Sequence, residues 1–83
     1  MTKVLGTVRM AEGRSAADAT VEVHNASGDV VDQIRTTGDG AFTYYLSPGR
    51  WTFRTYDTQG HRGSEEVVLT EDDATVGVDL EIG

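Results

Sequence analysis

The chain has 83 residues and no cysteine, a size that allows one domain over 1–83 and excludes a disulfide framework or a cysteine-ligated metal site. Its seven basic residues are scattered singly against 14 acidic ones, a net charge of -7, which argues against binding to nucleic acid or to an anionic membrane. No apolar run follows Met1 and all apolar stretches are short, so we expect neither a signal peptide nor a spanning helix, and synthesis in the cytoplasm.

Glycines and polar turns interrupt the chain at short, regular intervals, which predicts a run of strands and leaves no window for an amphipathic helix. We predict strands over 3–10, 18–24, 30–36, 63–69 and 75–82, and two more within 38–54. In the third strand Val30 and Val31 are adjacent, which a bulge or an edge position would explain.

Alternation of apolar and polar residues assigns an inward face to three of these strands. The inward residues are Val4, Gly6, Val8 and Met10; Ala19, Val21 and Val23; and Val76, Val78, Leu80 and Ile82. Seven short strands with one apolar face each predict two sheets packed face to face. The predicted fold is therefore an all-β, seven-stranded, antiparallel Greek-key β-sandwich.

The segment 38–54 contains two alternating runs with the only proline between them, a pattern that predicts a hairpin. The residues assigned to its inward faces are Phe42, Tyr44 and Leu46, then Trp51 and Phe53. Pro48 and Gly49 suit the two central positions of a type II turn, and Gly40 has the same role at the preceding corner. Gly6 marks a bulge or a close approach of the facing sheet, beneath Trp51 or Phe53. We assign all these residues structural roles in turns and core.

Five segments of the chain carry a recognisable pattern: Gly6-Thr7-Val8, Ala19-Thr20-Val21-Glu22-Val23, the turn at Gly28, Thr36 to Phe42, and Leu46 to Arg54. Together they resemble the carboxypeptidase regulatory-like domain, and the resemblance covers almost the whole chain. The resemblance implies a transthyretin-like, Ig-like sandwich. The segment 48–54 is also similar to short, stand-alone actinobacterial members of the family, which have no assigned function. It implies little about activity, because the motif marks a scaffold that in most members is an appendage of an enzyme or surface protein.

No catalytic or metal-binding pattern accompanies these motifs. A Gly-x-Ser-x-Gly elbow is absent, and His24 and His61 are predicted to be solvated, on an outward strand position and in a loop. Two histidines without any cysteine do not supply the ligand set of a zinc site. Asp39 and the acidic run 71–73 could offer oxygen ligands to calcium, but they lack the regular ligand spacing of a calcium-binding loop. We therefore predict that the protein is not an enzyme and needs no cofactor or metal.

Two outward tyrosines, Tyr45 and Tyr56, with Arg50 and Arg54 beside them, have the composition of an interface and form the predicted interaction surface. We predict a structural or interaction module that binds or stabilises a larger protein assembly through a sheet face or edge. The partner is another protein or a second copy, and virion decoration is one example of such an assembly.

Two alternatives stay open. The first is an oligomeric small-molecule carrier or transthyretin-like hydrolase, for which Arg54, His24 and His61 are the first residues to test. Here 61–64, His-Arg-Gly-Ser, is similar to the Tyr-Arg-Gly-Ser motif that ends hydroxyisourate hydrolase, but it lies in mid-chain and begins with histidine. The second is a surface or adhesion module. We do not expect a small-molecule ligand.

Overall fold

The computed structural model describes residues 1–72 and 74–83. These residues form seven strands and no helix, which confirms the predicted all-β class. The strands are β1 (Thr2–Met10), β2 (Thr20–His24), β3 (Val30–Arg35), β4 (Ala41–Leu46), β5 (Gly49–Tyr56), β6 (Arg62–Leu69) and β7 (Thr75–Ile82). Asp73, which belongs to the acidic run considered for calcium, lies outside the described residues.

The strands form two sheets that pack face to face. One has three strands in the order β4-β1-β7, and the other has four in the order β3-β2-β5-β6. The predicted antiparallel arrangement holds for every pair except β1 with β7, which run parallel from Lys3 opposite Thr75 to Met10 opposite Ile82. A parallel pair requires a long crossover, which the chain supplies because all the other strands lie between β1 and β7.

The core lies between the sheets and is made by the predicted inward faces. Its fully buried members include Val4 and Val8 from β1, Val21 and Val23 from β2, and Leu80 and Ile82 from β7. Phe42 and Phe53 bring one aromatic ring from each sheet, with ring centroids 5.5 Å apart and planes inclined at 48°. Such tilted pairs add about 0.5–1.5 kcal/mol to the stability that burial supplies.

The predicted hairpin over 38–54 is wrong. β4 pairs with β1, whereas β5 pairs with β2 and β6, so the bend at Pro48 carries the chain from one sheet to the other. Both arrangements turn the same residues inward, and alternation alone therefore does not distinguish them. Gly49 has the positive φ that favours glycine, but its value of 141° is far from the about 80° of a type II turn, so the predicted turn type is wrong. Trp51 Nε1 donates a 2.9 Å hydrogen bond to Ser47 O across the corner.

Gly6 marks a close approach, but by a residue of its own sheet and not of the facing sheet as predicted. Gly6 is directly opposite Phe42 on the adjacent strand, and a Cβ at this position would overlap the Phe42 ring. Trp51 and Phe53 are therefore not the residues above it. Gly40 has a φ of 75°, and a Cβ there would lie 2.6 Å from the carbonyl oxygen of Val8. The positive φ and the close contact each favour glycine at this turn.

The prediction for Val30 and Val31 is confirmed on both counts. β3 is an edge strand, and its register against β2 shifts between Val23 and His24, so that Val31 is skipped in the pairing. Both valines are about half exposed. A bulge on an edge strand hinders pairing with the edge of another molecule.

Candidate interaction surface

The outer face of the four-stranded sheet gathers positive charge. Residues directly opposite each other in an antiparallel pair point to the same side, and the buried Val23 and Phe53, which are opposite each other, fix the inward side. By this register four arginines share the outward side: Arg35 on β3, Arg50 and Arg54 on β5, and Arg62 on β6. We call the outward positions of β2, β3, β5 and β6 the arginine face.

The arginine face is basic although the protein is acidic. It holds four of the seven basic residues, whereas its outward strand positions include two acidic ones, Glu22 and Glu66. The rest of the chain is left with three basic and twelve acidic residues. The basic residues are scattered along the sequence, but strand pairing brings most of them onto one face.

Glu22 is held at the middle of this face by three side chains. Its Oε1 lies 3.1 Å from His24 Nε2, and its Oε2 accepts hydrogen bonds from Gln33 Nε2 at 3.3 Å and from the Tyr56 hydroxyl at 3.4 Å. Gln33 Nε2 also donates to the Tyr56 hydroxyl at 3.0 Å. Both carboxylate oxygens of Glu22 are therefore occupied by groups other than arginine, and the phenol of Tyr56 is fixed.

Arg54 is directly opposite Glu22 in the register, yet the two do not form an ion pair. Within residues 1–72 and 74–83, Arg35, Arg54 and Arg62 have no hydrogen bond or ion pair from their side chains. Arg50 has one weak contact, 3.8 Å from Glu66. Three guanidinium groups of the arginine face therefore keep all their donors available.

An open groove of about 500 Å³ lies along this face where β5 ends and β6 begins. Its lining includes Arg54, Arg62, Tyr56, Glu22 and Ser64. Arg54 is opposite Ser64 and Tyr56 is opposite Arg62, so the two arginines occupy diagonal positions on neighbouring strands. Diagonal side chains on a sheet face are separated by about 7–8 Å at their Cα atoms, a distance over which two guanidinium groups reach one ligand.

The prediction that both histidines are solvated is wrong for His24. Its ring is buried between the Glu22 carboxylate and the β2–β3 turn, where Nδ1 lies 3.4 Å from Gly28 O. His61 is half-buried in the β5–β6 loop, with Nδ1 2.6 Å from Asp57 Oδ2. Sequence periodicity gives the direction of a strand side chain, but it does not show that a neighbouring turn covers it.

Asp57 organises the β5–β6 loop at the end of the groove. Its Oδ1 accepts hydrogen bonds from the backbone N–H groups of Gln59 and His61, both at 2.9 Å. Burial raises the pKa of Asp57, but the hydrogen bonds from the His61 ring and from these two N–H groups outweigh it, so the pKa lies below its ordinary value. The carboxylate is thus kept charged and committed to the loop.

The model of the carboxypeptidase regulatory-like domain matches residues 3–82, nearly the whole chain. The chain belongs to this family. No curated protein matches it.

The domain is similar to a DUF3823 family protein from Parabacteroides merdae ATCC 43184 whose crystal structure is known. The match covers 98% of the domain, with a TM-score of 0.72 and 19% sequence identity. The domain spans 45% of that protein's chain. At this identity the likeness shows a shared fold.

The structure separates the four residues predicted to form the interaction surface of this regulatory-like domain. Tyr56, Arg50 and Arg54 lie on the arginine face, whereas Tyr45 lies on the outer face of the three-stranded sheet, opposite Lys3. The prediction placed both tyrosines on paired strands, and β4 and β5 are not paired. Arg35 and Arg62, which the sequence did not indicate, join the surface through strand register.

The described part of the domain offers no cluster of three or more His, Asp or Glu side chains that could hold a metal ion. The same residues contain no helix long and apolar enough to cross a membrane. Of the three residues considered for a carrier or hydrolase, Arg54 lines the groove, His24 is buried beside it, and His61 is bonded to Asp57.

Proposed function

We propose that this domain is a non-enzymatic interaction module that binds or stabilises a larger protein assembly through the arginine face. The observation that carries the proposal is the segregation of charge: four of seven basic residues share one sheet face of a protein with a net charge of -7. Arginine and tyrosine are enriched among the residues that dominate binding energy at protein interfaces, and Arg54, Arg62 and Tyr56 adjoin one another here.

The sheet supports this role physically. Arg50 and Arg54 lie on β5, which is paired on both sides, and Tyr56 is held by Glu22 and Gln33, so the backbone and the phenol are ordered before binding and only the arginine side chains must become ordered. A basic patch on an acidic molecule also gives the encounter a preferred orientation, because the remaining surface repels an acidic partner. A virion shell, the example given with the prediction from the sequence, is one such assembly.

The histidine contacts favour binding over hydrolysis. His24 bonds Glu22 and Gly28, His61 bonds Asp57, and in the described part of the chain no serine hydroxyl bonds either ring. Nucleophilic hydrolysis by serine needs a base within hydrogen-bond reach of the hydroxyl. This arrangement supports the proposal of a module that is not an enzyme.

Site-specific photo-crosslinking tests the proposal. Ser64 on the arginine face and Thr43 on the outer face of the other sheet are each replaced by p-benzoylphenylalanine, and the two proteins are irradiated in an extract of the native source. We expect one defined protein adduct from position 64, which weakens when Arg54→Ala is added, and none from position 43. Adducts from both positions alike, or from neither, would overturn the proposal.

A further inference from the structure

Arg54 and Arg62 stand out on the arginine face because they lie diagonal to each other beside the groove and have no partner in the described chain. The nearest acidic side chain in the register, Glu22, has both oxygens occupied by His24, Gln33 and Tyr56. The groove lining also holds the carboxylate of Asp57, which is bonded to His61 and to two N–H groups of the β5–β6 loop. Neither carboxylate pairs with Arg54 or Arg62, so the donors of both guanidinium groups are available to a further anionic group.

We propose that this groove binds a carboxylate-rich segment of the partner protein, with the side chains of Arg54 and Arg62 binding its carboxylates. The inference rests on the proposed function and names the chemistry of its partner. Arginine presents a planar fork of N–H donors that matches a carboxylate in two parallel hydrogen bonds. Ser64 and the Tyr56 ring line the same groove and offer a hydroxyl and an apolar surface to the segment between the carboxylates.

The dimensions of the face favour a short acidic segment over a nucleic acid. Four strands about 4.8 Å apart make the face roughly 15 Å wide. A duplex extends far beyond that width with about one charge per 1.7 Å, and the rest of the chain, with twelve acidic and three basic residues, would repel it. A peptide of a few acidic residues fits within the face and avoids this repulsion.

The probe for the test is a fluorescein-labelled hexaglutamate peptide, and its binding is followed by fluorescence anisotropy at about 0.1 M salt, where the Debye length is about 10 Å. Hexaglutamine is the neutral control, and a DNA duplex with the same label is the nucleic-acid control. The variants are Arg54→Ala and Arg62→Ala, each matched with Arg9→Ala, which removes the same charge from the outer face of the three-stranded sheet.

We expect hexaglutamate to bind more tightly than hexaglutamine or DNA, and to bind more weakly as salt is added. Arg54→Ala and Arg62→Ala should each weaken binding at least about fivefold, as expected for the loss of a charge-assisted hydrogen-bonding group. Arg9→Ala should change it less than about twofold. Equal losses in all three variants, no preference for hexaglutamate over hexaglutamine, or tighter binding of DNA would overturn the inference.

The two proposals fail separately. If position 64 gives the expected adduct but hexaglutamate does not bind, the arginine face binds a partner through other chemistry and the carboxylate inference is wrong. If hexaglutamate binds as expected but the adduct does not form, the groove has the inferred chemistry and the proposed function is wrong. Thermal unfolding of each arginine variant checks that the loss is not one of folding, since all the replaced side chains are exposed.

Discussion

The hydroxyl of Tyr44 donates a 2.7 Å hydrogen bond to Asp32 Oδ2 and thereby joins the edge strands of the two sheets. Tyr44 lies on β4 and Asp32 on β3, so the bond spans one open side of the sandwich. The hydrogen bond from Tyr44, aided by the backbone N–H of Gln33, lowers the pKa of Asp32. The same bond to Asp32 raises the pKa of Tyr44.

Tyr44→Phe should therefore lower the melting temperature near neutral pH and change its pH dependence. Because the folded-state pKa of Asp32 is lowered, its stabilisation is present above the unfolded value of about 3.9 and is lost as pH falls through the folded pKa. Because the pKa of Tyr44 is raised, its stabilisation is full below about pH 10 and is lost as pH rises through the folded pKa. The difference between wild type and variant should shrink at both extremes.

Tyr45→Phe is the matched control for this experiment. Tyr45 is exposed on the outer face of the same strand, and its hydroxyl has no hydrogen-bond partner among the described residues, so its removal should leave the melting curve unchanged from pH 3 to 11. Equal effects of the two variants at neutral pH would show that the Tyr44–Asp32 bond does not stabilise the sandwich.

Gly6→Ala should destabilise the fold by about 1–3 kcal/mol, the usual cost of overpacking a core. The new methyl group would overlap the Phe42 ring, which must move although it is buried. Gly77→Ala on β7 is the control, since a Cβ there meets nothing within 4 Å and should cost less than about 0.5 kcal/mol. Urea unfolding measures both variants.

The double variant Gly6→Ala with Phe42→Leu identifies the cause of that loss. If the clash is with the ring, the two changes together should cost less than the sum of their separate costs, by at least about 0.5 kcal/mol. Additive costs would mean that Gly6 is required for a backbone reason and not for the approach of Phe42.

Much of this fold follows from alternation, and the exceptions have identifiable physical reasons. The inward residues of β1, β2 and β7 follow from the two-residue period of a strand, and the structure confirms Val8, Val23 and Leu80 as buried. The hairpin prediction failed because alternation is the same whether β4 and β5 pair with each other or lie in different sheets. The bend at Pro48, which carries the chain to the other sheet, decides between the two. Strand partners also decide which charges meet, so alternation indicated Arg50 and Arg54 but gave no signal that Arg35 and Arg62 share their face.

Thr55 is the buried side chain in the described chain whose oxygen has no hydrogen-bond partner. Replacing it by valine keeps the shape and removes the cost of an unsatisfied hydroxyl, so Thr55→Val should raise the free energy of unfolding by about 1 kcal/mol. Thr36 is its counterpart, because its Oγ1 donates to Ala16 O at 2.7 Å and accepts from Ala19 N at 2.9 Å.

Thr36→Val should therefore destabilise the protein by about 1–3 kcal/mol, since it leaves two buried backbone groups without their partner. Urea unfolding of the two valine variants gives opposite signs if hydrogen-bond satisfaction decides the outcome. A loss of stability in both would mean that the Thr55 hydroxyl has a bonding role, and a gain in both would mean that the Thr36 bonds contribute little.

Glu22→Gln tests the electrostatics of the arginine face. The change removes a negative charge directly opposite Arg54, so binding of the labelled hexaglutamate peptide at about 0.1 M salt should become tighter, by about threefold or more. Glutamine keeps an oxygen that accepts hydrogen bonds, so Tyr56 and Gln33 should stay in place. Anisotropy titrations of wild type and variant measure the difference.

Glu71→Gln is the control, because Glu71 is exposed in the turn after β6, at the opposite end of that strand from Arg62 and the groove. It changes the net charge by the same amount, but screening over its distance from the groove should leave the affinity nearly unchanged. If both variants tighten binding equally, the peptide senses only the net charge of the protein. Weaker binding by Glu22→Gln would instead mean that Glu22 helps to position Tyr56 for the peptide more than it repels it.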